Sequence, residues 1–197
     1  MDLFPLFLKI AGRRCLVAGA GRVAEEKIEG LLRGGAIITV IAPRATARVR
    51  KWAREGKIRW HARGYRSGDL ARAFLVVAAT SSAELHQRIF HEATARSVLC
   101  NIVDDPPHCD FYYGSVVRRG ALQIAISTAG RSPALAQRLR KELSKQFGAE
   151  FADWVSYLGA EREKLMHQKI SPQRRKQLLH RLASRAAFEK FKRKARR

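Results

Sequence analysis

Three things are scarce in this chain of 197 residues: cysteine, long apolar runs and acid. Its three cysteines (Cys15, Cys100, Cys109) form no CxxC pair, and two of them lie in apolar runs that read as buried strands. That spacing supports neither a disulfide framework nor a structural zinc site, and reduced thiols are expected. The most apolar opening stretch, MDLFPLFLKI, is short, carries Asp2 and Pro5 and has no basic n-region. It fits neither a signal peptide nor a membrane span, so a cytoplasmic protein is expected, with no membrane partner. Acid is outnumbered, 17 Asp and Glu against 39 Lys and Arg, for a formal charge of +22. A surface so basic attracts nucleic acid, anionic membrane or a polyanionic small molecule, and composition does not choose among them. Half of the excess lies in residues 161–197, which hold 14 Lys or Arg against three Glu. This end reads as a solvated basic helical region, with KFKRKARR frayed or disordered.

What is present begins with CLVAGAGRVAEEK, residues Cys15 to Lys27. The stretch matches GxGxxA through Gly19, Gly21 and Ala24, between an apolar strand-like run and an amphipathic segment from Val23 to Leu32. That is the setting a dinucleotide-binding turn requires. Gly19 suits the tight turn, Gly21 leaves a pyrophosphate room to approach the backbone, and Ala24 allows the helix to pack closely on the sheet. The phosphates would rest on the unpaired N–H groups that open the helix. About twenty residues on, where an acid usually holds the adenosine ribose, the chain reads Ile41-Ala42-Pro43-Arg44. Arg44 either meets a 2′-phosphate, which favours NADP, or lies in solvent, and the residue alone does not decide between NAD and NADP.

The content of 46% hydrophobic residues suffices for one good core and a smaller second unit. Apolar runs alternate with amphipathic stretches: RCLVAG, AIITVIAP, KIRWHA, AFLVVAAT and VLCNIV as strands, with helices between them, including TARVRKWAREG and about Ser82 to Arg96. An α/β fold with a Rossmann-like, doubly wound parallel sheet follows. After Asp104 the pattern changes. DFYYGSVVRRGALQIAIST reads as a hairpin about Arg119-Gly120, and Ser132-Pro133 supplies an N-cap and first-turn proline for PALAQRLRKELSKQF. Two further helices are expected, about Ala149 to Gln168 and, after Ser171-Pro172, about Gln173 to Lys194. The expected organisation is therefore a nucleotide-binding domain over residues 1–112, a hairpin-and-helix region over 113–147 and a basic helical region over 148–197.

Open parallel sheets collect ligands at the carboxyl ends of their strands. There the fourth strand offers Ala78-Ala79-Thr80, small enough to leave room for a nicotinamide ring, and the fifth offers Asn101-Ile102-Val103-Asp104. Asp104 is the prime carboxylate candidate, able to take a proton while hydride leaves the same substrate if burial keeps its pKa high enough. The alternative is that Asp104-Asp105-Pro106-Pro107 is only a turn with an Asx cap. PHCD, residues 107–110, resembles a metal relay, but neighbours on an extended segment point in alternate directions and cannot readily chelate one ion, so no metal site is expected.

Taken together, LFPLFLKIAGRRCLVAGAGRVAEEK, AIITVIAP, VVAAT, CNIVDDP and VVRRGALQIAISTAGRSPALAQRLR resemble the amino-terminal module of siroheme synthases, the precorrin-2 dehydrogenase family, in order and spacing over about the first 145 residues. Some members are also sirohydrochlorin ferrochelatases. The resemblance implies oxidation of precorrin-2 to sirohydrochlorin with NAD, and Fe2+ insertion as a second activity in bifunctional members. It implies NAD binding by Gly19, Gly21, Arg22, Val23 and Ala24, with Pro43 and Arg44 near the adenosine; Ala79 and Thr80 complete the cofactor set. Asp104 falls on the family's catalytic aspartate. Ser127, Thr128, Ala129 and Gly130, with Arg131 beside them, match the loop that faces the tetrapyrrole, and the hairpin and following helix match the region through which the family forms homodimers.

Two departures stand out: Thr128 occupies the place of a serine that is phosphorylated in some relatives, and Gly114 replaces the usual proline, which loosens the start of the hairpin. With no methyltransferase module following, the fused three-activity enzyme is not expected. The substrate bears eight carboxylates, so a site for it needs rim cations over an apolar floor, and Arg118, Arg119, Arg131, Arg138 and Lys141 flank the proposed segments. A non-catalytic NAD-sensing module would share the fold but has no use for Asp104. Nucleic acid is not an expected partner, because the basic stretches carry no recognised motif and little interleaved aromatic.

Overall fold

The computed structural model describes residues 3–195, and the chain divides into two compact units, residues 1–112 and 113–197. The first unit holds strands β1 (Arg14–Ala18), β2 (Ile37–Ile41), β3 (Arg59–His61), β4 (Leu75–Ala78) and β5 (Leu99–Ile102), with helices α1 (Arg22–Arg33), α2 (Ala47–Arg54) and α3 (Ala83–Ala95). The strands form one parallel sheet in the order β3-β2-β1-β4-β5, the α/β arrangement expected from the alternating pattern. The order reverses between β1 and β4, so the loops after these two strands diverge and open a crevice at the carboxyl edge.

Strand alternation divides the core. Cys15, Val17, Ile38, Val40 and Val77 lie under Ala24, Ile28 and Leu31 of α1 and Val49 and Trp52 of α2. On the opposite face Leu16, Ala18, Ile41, Val76 and Cys100 meet Ile89 and Ala93 of α3 and Tyr65 and Leu70 from the β3–β4 connection. Burial on both faces explains why AFLVVAAT reads as an unbroken apolar run. It also pushes the Cys15 thiol up to about 11 and the Cys100 thiol up to about 12, so both stay protonated and unreactive at neutral pH. The β3–β4 connection contains no helix and is held by polar contacts: Arg63 grips Asp69 through two bonds of 2.7 and 2.8 Å, and Glu92 accepts from the Tyr65 hydroxyl (2.7 Å) and the Gly68 N–H (2.9 Å).

The second unit contains an antiparallel hairpin, β6 (Ser115–Arg119) with β7 (Leu122–Ile126), and helices α4 (Pro133–Gln146), α5 (Glu150–Met166), α6 (Pro172–Leu182) and α7 (Arg185–Ala195). Both Ser-Pro pairs cap as expected: Ser132 accepts from the Leu135 N–H and Ser171 from the Arg174 N–H. The single final helix expected from Gln173 to Lys194 is instead two. Ser184 ends the run by accepting the Ala187 N–H through its hydroxyl and the Phe188 N–H through its carbonyl. The break delivers Phe188 and Phe191 to Trp154, at ring-centroid distances of 5.4 and 5.1 Å, within a cluster that also includes Phe147, Phe151 and Tyr157. The stretch KFKRKARR, expected to fray, is helical through Ala195, and Arg196 and Arg197 lie outside the described residues, as do Met1 and Asp2 of the opening stretch. Gly114 precedes the hairpin at a tight approach. A Cβ there would come within 2.8 Å of the Ile126 carbonyl oxygen, so the backbone passes close to the end of β7. Among the described residues no helix is long and apolar enough to cross a membrane.

Candidate functional site at the carboxyl edge of the sheet

The glycine turn is built by sterics. Gly19 sits at φ +107°, a region open to glycine, and a Cβ on it would overlap the Ala79 carbonyl oxygen at the end of β4. Its N–H donates to the Ile41 carbonyl at 2.9 Å, and the Thr46 N–H returns to Ala20 at 3.1 Å, so the corner holding Pro43 and Arg44 is tied to the turn. Pro43 and Arg44 are both exposed. Gly21 is the N-cap of α1 and supplies no side-chain cap; a Cβ there would meet nothing within 4 Å. The first intrahelical bond runs from the Glu25 N–H to the Gly21 carbonyl, which leaves the N–H groups of Arg22, Val23 and Ala24 without helical acceptors. Open space above a helix start with unpaired donors fits the pyrophosphate of a dinucleotide. Ala24 is wholly buried, and Ala79 and Thr80 continue β4 at the same edge. The Thr80 hydroxyl lies 3.0 Å from the Nε2 atom of His86 on α3, a pairing the sequence did not signal.

Asp104 follows β5 at the same edge, two strands from the glycine turn with β4 between them. Its φ is +61°, a conformation that aspartate tolerates better than most residues, in a turn closed by the Asp105 N–H on the Ile102 carbonyl at 3.3 Å. Residue 104 is exposed, so the burial that would raise its pKa is absent, and the turn that holds it lacks an Asx cap, since Asp105 before the short 3-10 turn makes no side-chain cap bond. The electrostatic neighbour of Asp104 is Lys27 on α1. Burial lowers the Lys27 pKa, against the opposing pull of Glu26, Asp104 and Cys109. Lys27 escaped the sequence reading, although its place in the stripe Ala24, Ile28, Leu31 put a lysine where an apolar residue belongs.

PHCD separates into three roles. His108 pairs with the Asp105 carboxylate at 2.8 Å, the Cys109 thiol donates to the carbonyls of Ile102 and Asp105, and the Asp110 carboxylate accepts the Cys100 N–H at 2.8 Å. Asn101, buried on β5, donates to the Phe111 carbonyl at 2.8 Å and pins the same segment.

In the second unit, Ser127 to Arg131 form the turn between β7 and α4. Ala129 and Gly130 both have positive φ, the Arg131 N–H donates to the Thr128 carbonyl at 2.9 Å, and the Thr128 hydroxyl accepts the Ser132 N–H at 3.1 Å. The Ser127 hydroxyl accepts the Ala129 N–H. Arg131 is exposed. Of the five flanking cations, Arg119 is committed to the backbone and hydroxyl of Ser144 at 2.8 Å and Arg138 pairs with Glu142 at 3.4 Å, whereas Arg118, Arg131 and Lys141 are exposed.

Comparison with known proteins agrees with this geometry. An NAD(P)-binding family model matches residues 6–115, and a model for the central part of sirohaem biosynthesis proteins matches residues 119–146. The chain is 39% identical over 164 residues to siroheme synthase 1 of Cronobacter sakazakii and 42% identical over 164 residues to the siroheme synthase of Pseudoalteromonas atlantica, covering 83% of this chain in each case. It spans only 35% of the length of either relative. The solved structure of SirC, a precorrin-2 dehydrogenase, superposes with a TM-score of 0.81 at 27% identity, covering 94% of this chain and 92% of that one. A glycine turn built for a dinucleotide, followed by the central segment of sirohaem proteins, places this chain in the NAD(P)-binding family of sirohaem biosynthesis proteins.

Proposed function

We propose that the chain is an NAD-dependent dehydrogenase that oxidises precorrin-2 to sirohydrochlorin. The observation that carries this reading is the exposed Asp104 carboxylate on the same sheet edge as the glycine turn, in a chain that matches SirC over nearly its whole length. In this reading Gly19 and Gly21 admit the pyrophosphate, the N–H groups of Arg22, Val23 and Ala24 hold it, Pro43 and Arg44 border the adenosine, and Ala79 and Thr80 leave room for the nicotinamide. A bound nicotinamide supplies the hydride acceptor. Asp104 accepts the proton that leaves the macrocycle as its C–H bond gives up the hydride, so the substrate loses two electrons and two hydrogens. Lys27 sets a positive charge in electrostatic reach of this carboxylate. Ser127, Thr128, Gly130 and Arg131 contact the substrate, with Arg131 meeting its carboxylates. A second copy of the chain packs on the hairpin and α4 to form a homodimer, a reading supported by the half-covered apolar residues there.

The macrocycle brings four nitrogens of its own, so Fe2+ as a substrate needs only proton acceptance from the protein, which Asp104 also supplies. The test is anaerobic turnover with precorrin-2 and either NAD+ or NADP+, followed by Fe2+ insertion above the spontaneous rate. Asp104→Asn is expected to lower kcat by at least about 100-fold and to abolish insertion. His108→Ala and Cys109→Ala are expected to leave insertion largely intact, at a level below dehydrogenation. No cofactor-dependent sirohydrochlorin formation would overturn the enzyme reading.

A further inference from the structure

Parallel sheets are normally covered on both faces, yet one part of this sheet is bare. Register places Arg14 opposite Ile37, and Leu16, Thr39 and Arg59 side by side, so these residues share one face at the amino ends of β1, β2 and β3. The β3–β4 connection covers that face only as far as Tyr65 and Leu70, which pack on Leu16 and Ile41. Beyond them lies a groove of about 1070 Å³ between the strands and the connection, at the opposite end of the strands from the glycine turn. Ile37, 56% exposed, and the half-buried Thr39 form its floor.

The charge in the groove is one-sided. Arg14, Arg59 and Arg72 line it, all three exposed and none with a carboxylate partner among the described residues. Its one carboxylate, Asp69, is held bidentately by Arg63. Three unpaired guanidiniums repel one another unless an anion sits among them, and a guanidinium fork matches phosphate and carboxylate oxygens in pairs. The groove is large enough to admit a small molecule.

We infer that this groove is a second binding site, distinct from the dinucleotide edge, for a small polyanion bearing several phosphate or carboxylate groups, held by Arg14, Arg59 and Arg72. Occupancy neutralises the bare face and couples the amino ends of the strands to the β3–β4 connection through Arg72.

The test titrates the full chain, saturated with NAD+ so that the glycine turn is filled, with tripolyphosphate in one arm and citrate in the other, following backbone amide shifts by NMR. Shifts at residues 37–39, 57–61 and 69–73 are expected. The stronger arm identifies the oxyanion class. Arg14→Gln/Arg59→Gln/Arg72→Gln is expected to weaken binding at least tenfold while thermal unfolding and turnover without polyanion stay unchanged. Arg59→Lys, which keeps the charge and loses the fork, is expected to have a smaller effect and guards against misfolding of the triple variant. Shifts confined to residues 19–24, or equal affinity in the triple variant, would overturn the site. Loss of turnover in the unsubstituted chain would instead count against the dehydrogenase reading.

Discussion

The two units bury apolar surface very differently. In residues 1–112 most positions of β1, β2, β4 and β5 and one stripe of each helix are buried, on both faces of the sheet, while β3 stays at the margin. In residues 113–197 only Val117, Ala136, Trp154 and Leu165 reach full burial among the described residues, although the unit carries four helices and a hairpin. Its order rests on the aromatic cluster around Trp154 and on caps, and a two-stranded hairpin is marginal alone. The first unit therefore contains what it needs to fold. The second buries little within one copy of the chain, which is why a homodimer is proposed.

The largest expected effect comes from attacking the weaker unit. Trp154→Ala removes the ring at the centre of the cluster and should cost about 3–5 kcal/mol. Hydrogen exchange should show protection lost across residues 113–195 while β1 to β5 stay protected, and light scattering should fall from twice the 22.2 kDa chain mass toward one. Simultaneous loss of protection in both units, or a monomeric parent protein, would break the comparison.

Gly19→Ala attacks the stronger unit at its tightest point. The new Cβ overlaps the Ala79 carbonyl and the φ of +107° is hostile to any side chain, so about 3 kcal/mol of stability should go, together with NAD binding. Urea unfolding and cofactor titration measure the two losses. A variant of parental stability would show that β1 and β4 can separate without cost.

A smaller effect tests the helix-free β3–β4 connection. Burial pushes the Glu92 carboxyl up, but the Tyr65 hydroxyl, the Gly68 N–H and Arg96 together outweigh it and hold the group below the usual carboxylate range. A depressed carboxyl stabilises the fold fully above its ordinary pKa, and that contribution is lost as the pH falls through the lower folded value. Tyr65→Phe should therefore cost about 1.5 kcal/mol at pH 7, and the gap between variant and parent in urea midpoints should narrow in acid. A pH-independent gap would mean that Tyr65 acts by packing alone.

The residues alone determined the features that depend on near neighbours. Glycines where backbones cross, serine-proline pairs that cap helices, and apolar alternation that calls for a parallel sheet all act within a few residues, through sterics and local hydrogen bonds. The glycine turn and the position of Asp104 at a strand end were legible for that reason. Only the tertiary structure decided that Asp104 is exposed with Lys27 beside it, that the three polar side chains of PHCD bond separately to nearby groups and not to one ion, and that the last helix breaks at Ser184 to deliver Phe188 and Phe191 to Trp154. It alone lined up Arg14 and Arg59 on one bare face with Arg72 across the groove. Such pairings follow from strand register and from the path of the β3–β4 connection, which sum many weak contacts between residues far apart in the chain, so no local pattern encodes them.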